Sequence, residues 1–273
     1  MRLYDYLLDA AAEEPDTIAL GFYGAQFPYG FVGEQAKQVA AGLIALGVEP
    51  NESVGVMLPN IPPFAPALYG TLLAGCVFVP MNVMLTGKEI EYLVEDSDIK
   101  VLVTLDMFID NVNKGIENLK NPPKVFVVGE NLGGHQPLPE LFGDATGFTP
   151  VETDVELPAM RLYTSGTTGK PKGAQITNAN IIANIKMFES VLPPEEGDKA
   201  LCVLPCFHVF ALNGVLNFAV RNRTTVVLHP RFEVDACINS LKNDQITSFA
   251  GVPTMYAEML KHPDIAGAEF PTL

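Results

Sequence analysis

Short β-branched or apolar runs alternate along the chain with longer segments in which apolar residues recur every three or four positions, a rhythm that predicts an α/β fold. Across 31–46, Phe31, Ala36, Val39, Ala40, Leu43 and Leu46 share one helical face, and Gly47 follows as a left-handed cap. Residues 53–58 read as a continuous buried strand, 59–60 as a turn, and the stretch ending near Gly75 as a helix. Then come a strand over 76–80, a helix over 86–95 capped by Thr86, and strands over 100–104 and 125–128. Strands with so few polar positions require helices on both faces of their sheet.

From 129 to 158 the pattern lapses into Gly, Pro, Thr and acids, without a period of either kind. This seam predicts two α/β subdomains, 1–145 and 146–273. Beyond it, 161–164, 200–204, 224–228 and 247–251 read as strands and 178–191 as a helix.

Composition narrows the function. The 273 residues carry 17 Lys+Arg against 32 Asp+Glu, a net charge of −15, with 48% apolar residues. A chain of this kind has enough apolar surface for a full core, which excludes intrinsic disorder. It lacks the basic balance of a nucleic-acid binder, so any phosphate site must be built locally. The opening MRLYDYLLDA is broken by Asp5 and Asp9 and offers no signal-peptide core, and no apolar run reaches the roughly 18 residues of a membrane span. The expectation is a soluble, cytoplasmic protein, with peripheral membrane contact and homodimer formation left open. Cys76, Cys202, Cys206 and Cys237 form no CxxC pair; Cys202, Cys206 and His208 lack a fourth ligand spaced to close a tetrahedral site, so buried thiols are the expected reading.

The densest chemistry lies in 163–173, YTSGTTGKPKG, with four Ser and Thr hydroxyls, three glycines and two lysines. Glycines let backbone N–H groups turn inward on a concave loop, hydroxyls add donors, and lysines add compact positive charge. Residues 161–173 hold three basic residues and no acid, a cationic island in an acidic chain. A solvated Ser/Thr/Gly turn would share the composition. The GxxxxGK[ST] frame does not fit, because Pro171 follows Lys170 and Thr164 stands where the first glycine should be.

Position by position, the run resembles the YTSGTTGxPKG signature of the adenylate-forming superfamily, which contains acyl-CoA synthetases, peptide-synthetase adenylation domains and firefly-type luciferases. Other stretches agree in order: Leu58-Pro59-Asn60, the run 74–82, Leu204-Pro205-Cys206-Phe207-His208 with the residues to Asn213, and Gly251-Val252-Pro253-Thr254-Met255-Tyr256. The resemblance spans essentially the whole chain; Asn178-Ala179 departs from the usual His-Arg. It implies an α/β fold of two helix-flanked sheet subdomains belonging to the large amino-terminal domain of an acyl-CoA synthetase.

The resemblance also implies a reaction and its residues. A carboxylate attacks the α-phosphorus of Mg2+-bound ATP, giving acyl-AMP and pyrophosphate, and coenzyme A then displaces AMP. Thr164, Ser165, Gly166, Thr167, Thr168, Gly169, Lys170 and Lys172 would hold the phosphates, with Lys172 as the principal charge. Amino-acid-activating members carry an Asp where this chain has His208; an imidazole suits a carboxylate and offers nothing to an ammonium, so a plain carboxylic acid is the implied substrate. His208, Phe210, Gly214, Gly251, Val252, Pro253 and Met255 would line the acyl pocket, and Arg231 would meet the phosphates of coenzyme A. Phe210 reads equally as a core aromatic, and Pro253 would start a helix whatever the function. The chain shows no aromatic-Gly-x-Thr-Glu, no Thr-Gly-Asp and no terminal lysine domain. The expectation is therefore an amino-terminal portion, inactive alone, that needs a carboxyl-terminal part. A non-catalytic acyl- or nucleotide-binding module, or another adenylate-forming enzyme, shares the same motifs.

Overall fold

The computed structural model describes residues 1–164, 170–265 and 267–273. Helix α1 (Leu3–Glu13) buries Leu3, Tyr4, Tyr6, Leu7 and Ala10 and leads into the hairpin β1 (Ile18–Phe22) and β2 (Ala25–Pro28). The two-residue connection, Tyr23 and Gly24, has positive φ at both positions, as a tight hairpin of this hand requires. Helix α2 (Tyr29–Ala45) ends before Gly47, whose φ of 80° confirms the left-handed cap. Then follow β3 (Ser53–Met57), α3 (Phe64–Leu73), β4 (Val77–Pro80), α4 (Gly87–Ser97), β5 (Ile99–Leu105), α5 (Ile109–Ile116), β6 (Lys124–Val128) and β7 (Gln136–Pro137). Thr86 and Glu89 close a capping box at the start of α4.

The second half opens with the antiparallel pair β8 (Pro158–Thr164) and β9 (Lys172–Thr177), followed by α6 (Asn178–Val191) and β10 (Lys199–Cys202). A helical run begins with α7 (Val209–Ala211), passes through a π-helical stretch (Leu212–Asn217) and finishes as α8 (Phe218–Asn222). β11 (Thr225–Leu228), α9 (Val234–Asn243), β12 (Ser248–Phe249) and α10 (Pro253–Met259) complete the order.

Among the described residues the strands form a seven-stranded sheet, β7-β6-β5-β3-β4-β8-β9, and a five-stranded sheet, β12-β10-β11-β1-β2. All neighbours are parallel except β8–β9 and β1–β2. The division at 145/146 does not follow these sheets. β1 and β2, from the first half, pair into the sheet of β10 to β12, and β8 and β9, from beyond the seam, extend the sheet of β3 to β7. Strand pairing is chosen by tertiary burial, and a lapse in periodicity marks only a loop.

The layers explain the apolar strands. One buried cluster joins α1, α2, α3, part of α6 and the 211–220 helix to the inner faces of both sheets, through residues such as Leu20, Val54, Val56, Phe78, Phe126 and Val226. The outer face of the seven-stranded sheet packs Met57, Val79, Leu102 and Val127 against Ile90, Leu93 and Val94 of α4 and Ile109, Val112 and Ile116 of α5. The outer face of the five-stranded sheet packs Leu201 and Val203 against Cys237, Ile238 and Leu241 of α9. The result is a helix, sheet, helix, sheet, helix sandwich in which alternate side chains of the central strands are buried on both sides. Two phenols tie the middle layer together: Tyr29 donates to the Ala219 and Thr224 carbonyls at 3.2 and 2.8 Å, and Tyr69 donates to Asn217 Oδ1 at 2.9 Å. Among the described residues no helix is long and apolar enough to cross a membrane.

Close approach to the middle layer depends on glycine. A Cβ on Gly42 of α2 would collide with the Leu141 carbonyl, in the segment whose Gly143 N–H donates to the Gln38 carbonyl at 2.8 Å. Helix propensity alone would make Gly42→Ala stabilising by about 1 kcal/mol. The collision reverses the sign: the expected loss is about 2 kcal/mol or more, read from urea unfolding, and a gain in stability would contradict the packing.

Candidate phosphate and acyl site

β8 and β9 form a hairpin whose final rung pairs Thr164 with Lys172, next to the Tyr163–Gly173 pair. The first and last described donors of the glycine-rich segment therefore face each other across one rung. Ser165, Gly166, Thr167, Thr168 and Gly169 lie outside the described residues. Lys170 and Lys172 are both exposed, as is Thr164. Gly173 is needed for closeness: a Cβ there would stand 2.8 Å from Arg161 Cδ and 3.1 Å from Tyr163 Cζ.

β8 runs parallel to β4 and β4 to β3, so Thr164 leaves the carboxyl edge of the seven-stranded sheet on the same side as Asn60, two strands or roughly 10 Å from it. Open parallel sheets place their ligands at this edge. Asn60, 1% exposed, follows β3 and reaches the other sheet. Its Nδ2 donates to the Cys202 and Leu204 carbonyls at 3.2 and 2.9 Å, and its Oδ1 accepts from the Cys206 N–H at 2.7 Å. One amide thus holds the whole turn from β10 to His208.

His208 is exposed at the end of that turn, its N–H donating to the Pro205 carbonyl at 2.9 Å and its own carbonyl accepting from Leu212 at 3.0 Å. Its ring lies 4.8 Å from that of Phe207. The neighbouring cysteines are a structural pair. Cys202 and Cys206 are buried with sulfurs 3.6 Å apart, and contact with Cys202 together with burial raises the Cys206 thiol well above its ordinary value. Burial likewise pushes the Cys76 thiol up to about 12. Neutral thiols are poor ligands, and among the described residues no group of three His, Cys, Asp or Glu could hold a metal ion.

A cleft of about 570 Å3 takes in Phe188 of α6, Leu192 just past its end, Phe210, Gly214 and Phe218 of the helical run, and Phe249 of β12. Of the acyl-pocket residues expected from sequence it includes Phe210 and Gly214. Phe210 is half exposed and meets Phe188 edge-on at 6.3 Å, so it is not a core aromatic. Gly214 faces the same ring: a Cβ there would lie 3.3 Å from Phe188 Cζ. Gly251, Val252, Pro253 and Met255 do not line the cleft, and Phe249 and Ala250 take their place. Pro253 begins α10, and Met255 packs against the outer cluster of α9. Arg231, 81% exposed, is paired with Glu233 at 2.6 Å on the loop after β11. Phe188, Leu192 and Asn60 carry no motif that marks them as site-building residues; only the helical period of 178–191 points to Phe188.

A larger cavity, about 700 Å3, lies elsewhere, between the β1–β2 hairpin and α9, where Tyr23, Gln26, Lys199, His229 and Asn243 line it. Among the described residues, none from the motifs lines it.

A two-sheet sandwich with a glycine-rich, lysine-bearing hairpin at the carboxyl edge of a parallel sheet is the amino-terminal architecture of adenylate-forming enzymes. The chain belongs to the AMP-binding enzyme family, whose model matches residues 7–272. It is 29% identical over 295 aligned positions to a long-chain-fatty-acid–CoA ligase of Bacillus subtilis, covering 96% of this chain and 52% of that protein. It is 31% identical to a feruloyl-CoA synthase of Amycolatopsis, covering 96% and 51%. Among solved structures, a benzoate CoA ligase from Burkholderia xenovorans superposes with a TM-score of 0.86 at 25% identity, covering 97% of this chain and 53% of that one. The chain spans about half the length of the curated relatives it matches.

Replacing Asn60 by Leu would keep the volume but leave the buried Cys206 N–H without a partner and the Leu204 carbonyl with only the weak Cys202 thiol donor, while the Cys202 carbonyl keeps the His229 N–H. The expected cost is about 2 kcal/mol or more in urea unfolding, with the His208 ring resonances displaced in NMR spectra. A loss below about 1 kcal/mol with unmoved His208 resonances would contradict the role given to Asn60.

Proposed function

We propose that this chain is the phosphate- and acyl-holding portion of an ATP-dependent, AMP-forming carboxylic acid–CoA ligase. The observation that carries the reading is the rung pairing Thr164 with Lys172 at the carboxyl edge where Asn60 also anchors the His208 turn. In the reaction, a carboxylate oxygen attacks the α-phosphorus of ATP and pyrophosphate leaves with the bonding electron pair. The thiol of coenzyme A then adds to the acyl carbonyl, loses its proton, and AMP leaves.

A carboxylate is already ionised near neutrality, so the first step needs no general base. It needs the charge accumulating on the leaving pyrophosphate to be met by fixed donors. Lys172 supplies the principal charge, Lys170 a second, and Thr164 a hydroxyl; the roles of 165–169 follow from their motif positions. His208 holds the carboxylate by its imidazole, and the apolar cleft of Phe188, Phe210, Gly214 and Phe249 takes the acyl chain, fatty or aryl. Arg231 keeps its Nη1 donors for the phosphates of coenzyme A while Glu233 holds the Nε and Nη2 edge. Magnesium would arrive with the nucleotide as its counter-ion, since hydroxyl and ammonium groups suit an anion and not a cation. Four free, buried cysteines agree with a reducing compartment such as the cytoplasm. Because the chain spans half of its relatives, the rest of the ligand shell is assigned to a carboxyl-terminal part, and the chain alone binds without turning over.

Titration calorimetry and ATP–pyrophosphate exchange test this together. The chain is expected to bind inorganic pyrophosphate, and Lys172→Ala to weaken that binding at least about tenfold, the scale of one charge-assisted hydrogen bond. Acyl-dependent exchange should be absent. Exchange abolished by Lys172→Ala would contradict the division of labour, and acyl binding without any phosphate affinity would favour a non-catalytic acyl-binding module.

A further inference from the structure

Helix α4 covers the outer face of the seven-stranded sheet through Ile90, Leu93 and Val94, and that packing accounts for its position. It does not account for the polar side chains of its last two turns, which converge on the β8–β9 hairpin. Tyr92 and Asp96 are four residues apart and so share a face. Asp96 Oδ2 accepts from the Tyr163 phenol at 2.5 Å, and Ser97 Oγ, on a residue only 2% exposed, lies 2.6 Å from the Tyr163 phenol oxygen. Burial, with the Asp96 contact second, pushes the Tyr163 phenol up to about 12, so it stays a proton donor through the physiological range. The Asp96 carbonyl accepts from Arg161 Nη1 at 3.1 Å.

The strand leaving the glycine-rich segment is gripped by the same helix. The Tyr92 hydroxyl donates to the Pro171 carbonyl at 3.0 Å. Its ring stands edge-on to Tyr163, centroids 6.5 Å apart at 79°, and lies 5.5 Å from Lys170 Nζ, within reach of a cation–π contact. Both rims of 165–169, one at Tyr163 and one at Pro171, are therefore fastened to a single helical turn and a half. The Thr164–Lys172 rung alone would leave an antiparallel hairpin end free to fray.

We propose that Tyr92, Asp96 and Ser97 are positioning residues that fix where Thr164, Lys170 and Lys172 present their donors to a polyphosphate. The proposal rests on the phosphate reading above and adds to it a named support outside the motif. Ordering the donors before the ligand arrives removes that ordering cost from binding. Loss of one anchor therefore weakens binding by the folded protein, whereas a purely structural contact lowers only the melting temperature.

The test is calorimetric titration of the 273-residue chain with inorganic pyrophosphate, well below its melting temperature, for wild type, Y163F, Y92F, D96N and D96A. Y163F and Y92F should each bind about three- to tenfold more weakly, the range of one net hydrogen bond. Asp96 needs a paired comparison, because removing its charge by itself favours an anion. D96N and D96A share that loss, and only D96N keeps an acceptor for the Tyr163 phenol, so D96A should bind about three- to tenfold more weakly than D96N. Wild-type affinity in Y163F and Y92F, or equal affinity in D96N and D96A, overturns the proposal while the phosphate reading stands. A wild-type chain that binds no pyrophosphate, or that binds it as tightly in Lys172→Ala, overturns the phosphate reading and the positioning role with it.

Discussion

The amide of Asn60 is the contact on which the site depends. The β8–β9 hairpin belongs to one sheet and the His208 turn to the other, and Asn60 leaves the first to hold three backbone groups of the second. Buried at 1% exposure, it has no water to fall back on, so the two sheets keep one relative placement at this edge or lose all three bonds. The shared helical layer supplies the apolar area behind that placement, and the glycines of α2 and α3 let its members approach. Gly70, for example, has Val39 Cβ within 2.6 Å of where its own Cβ would be.

Charge then decides what the edge can hold. A chain of net charge −15 repels anions over most of its surface, and residues 161–173 interrupt it with three cations and no acid. The rung at Thr164 and Lys172 turns that composition into geometry, because an antiparallel pair places its two ends within one strand spacing. The cleft proposed for the acyl chain is separate in origin, built between α6 and the π-helical run. A π stretch widens a helix by one residue per turn and is common where function sets the shape.

Much of this was legible in the residues. The helices at 31–46, 86–95 and 178–191 have strong periods and clear caps, and they lie where the periods put them. The β1–β2 hairpin was not read, because IALGF and AQFP are too short and mixed for either period to dominate, and β9 was hidden because KGAQIT continues a loop motif. The crossing of the 145/146 division was invisible for a deeper reason: which strands pair is set by burial between segments more than 200 residues apart, as with Leu20 and Val226. The phosphate segment was legible as chemistry, while its supports on α4 were not, since Tyr92, Asp96 and Ser97 look like an ordinary solvated helix end. Met255 was misplaced because a motif gives position along the chain and not the direction of a side chain.

The proposed nucleotide site combines the hairpin end at Thr164, Lys170 and Lys172 with the His208 turn that Asn60 anchors beside the same sheet edge. Backbone NMR of the intact chain titrated with ATP reads this residue by residue. The account predicts amide shifts concentrated at 163–173 and at 206–209, with the cavity around Tyr23, His229 and Asn243 unmoved. Shifts centred on that second cavity, with the hairpin and the His208 turn unchanged, would contradict it.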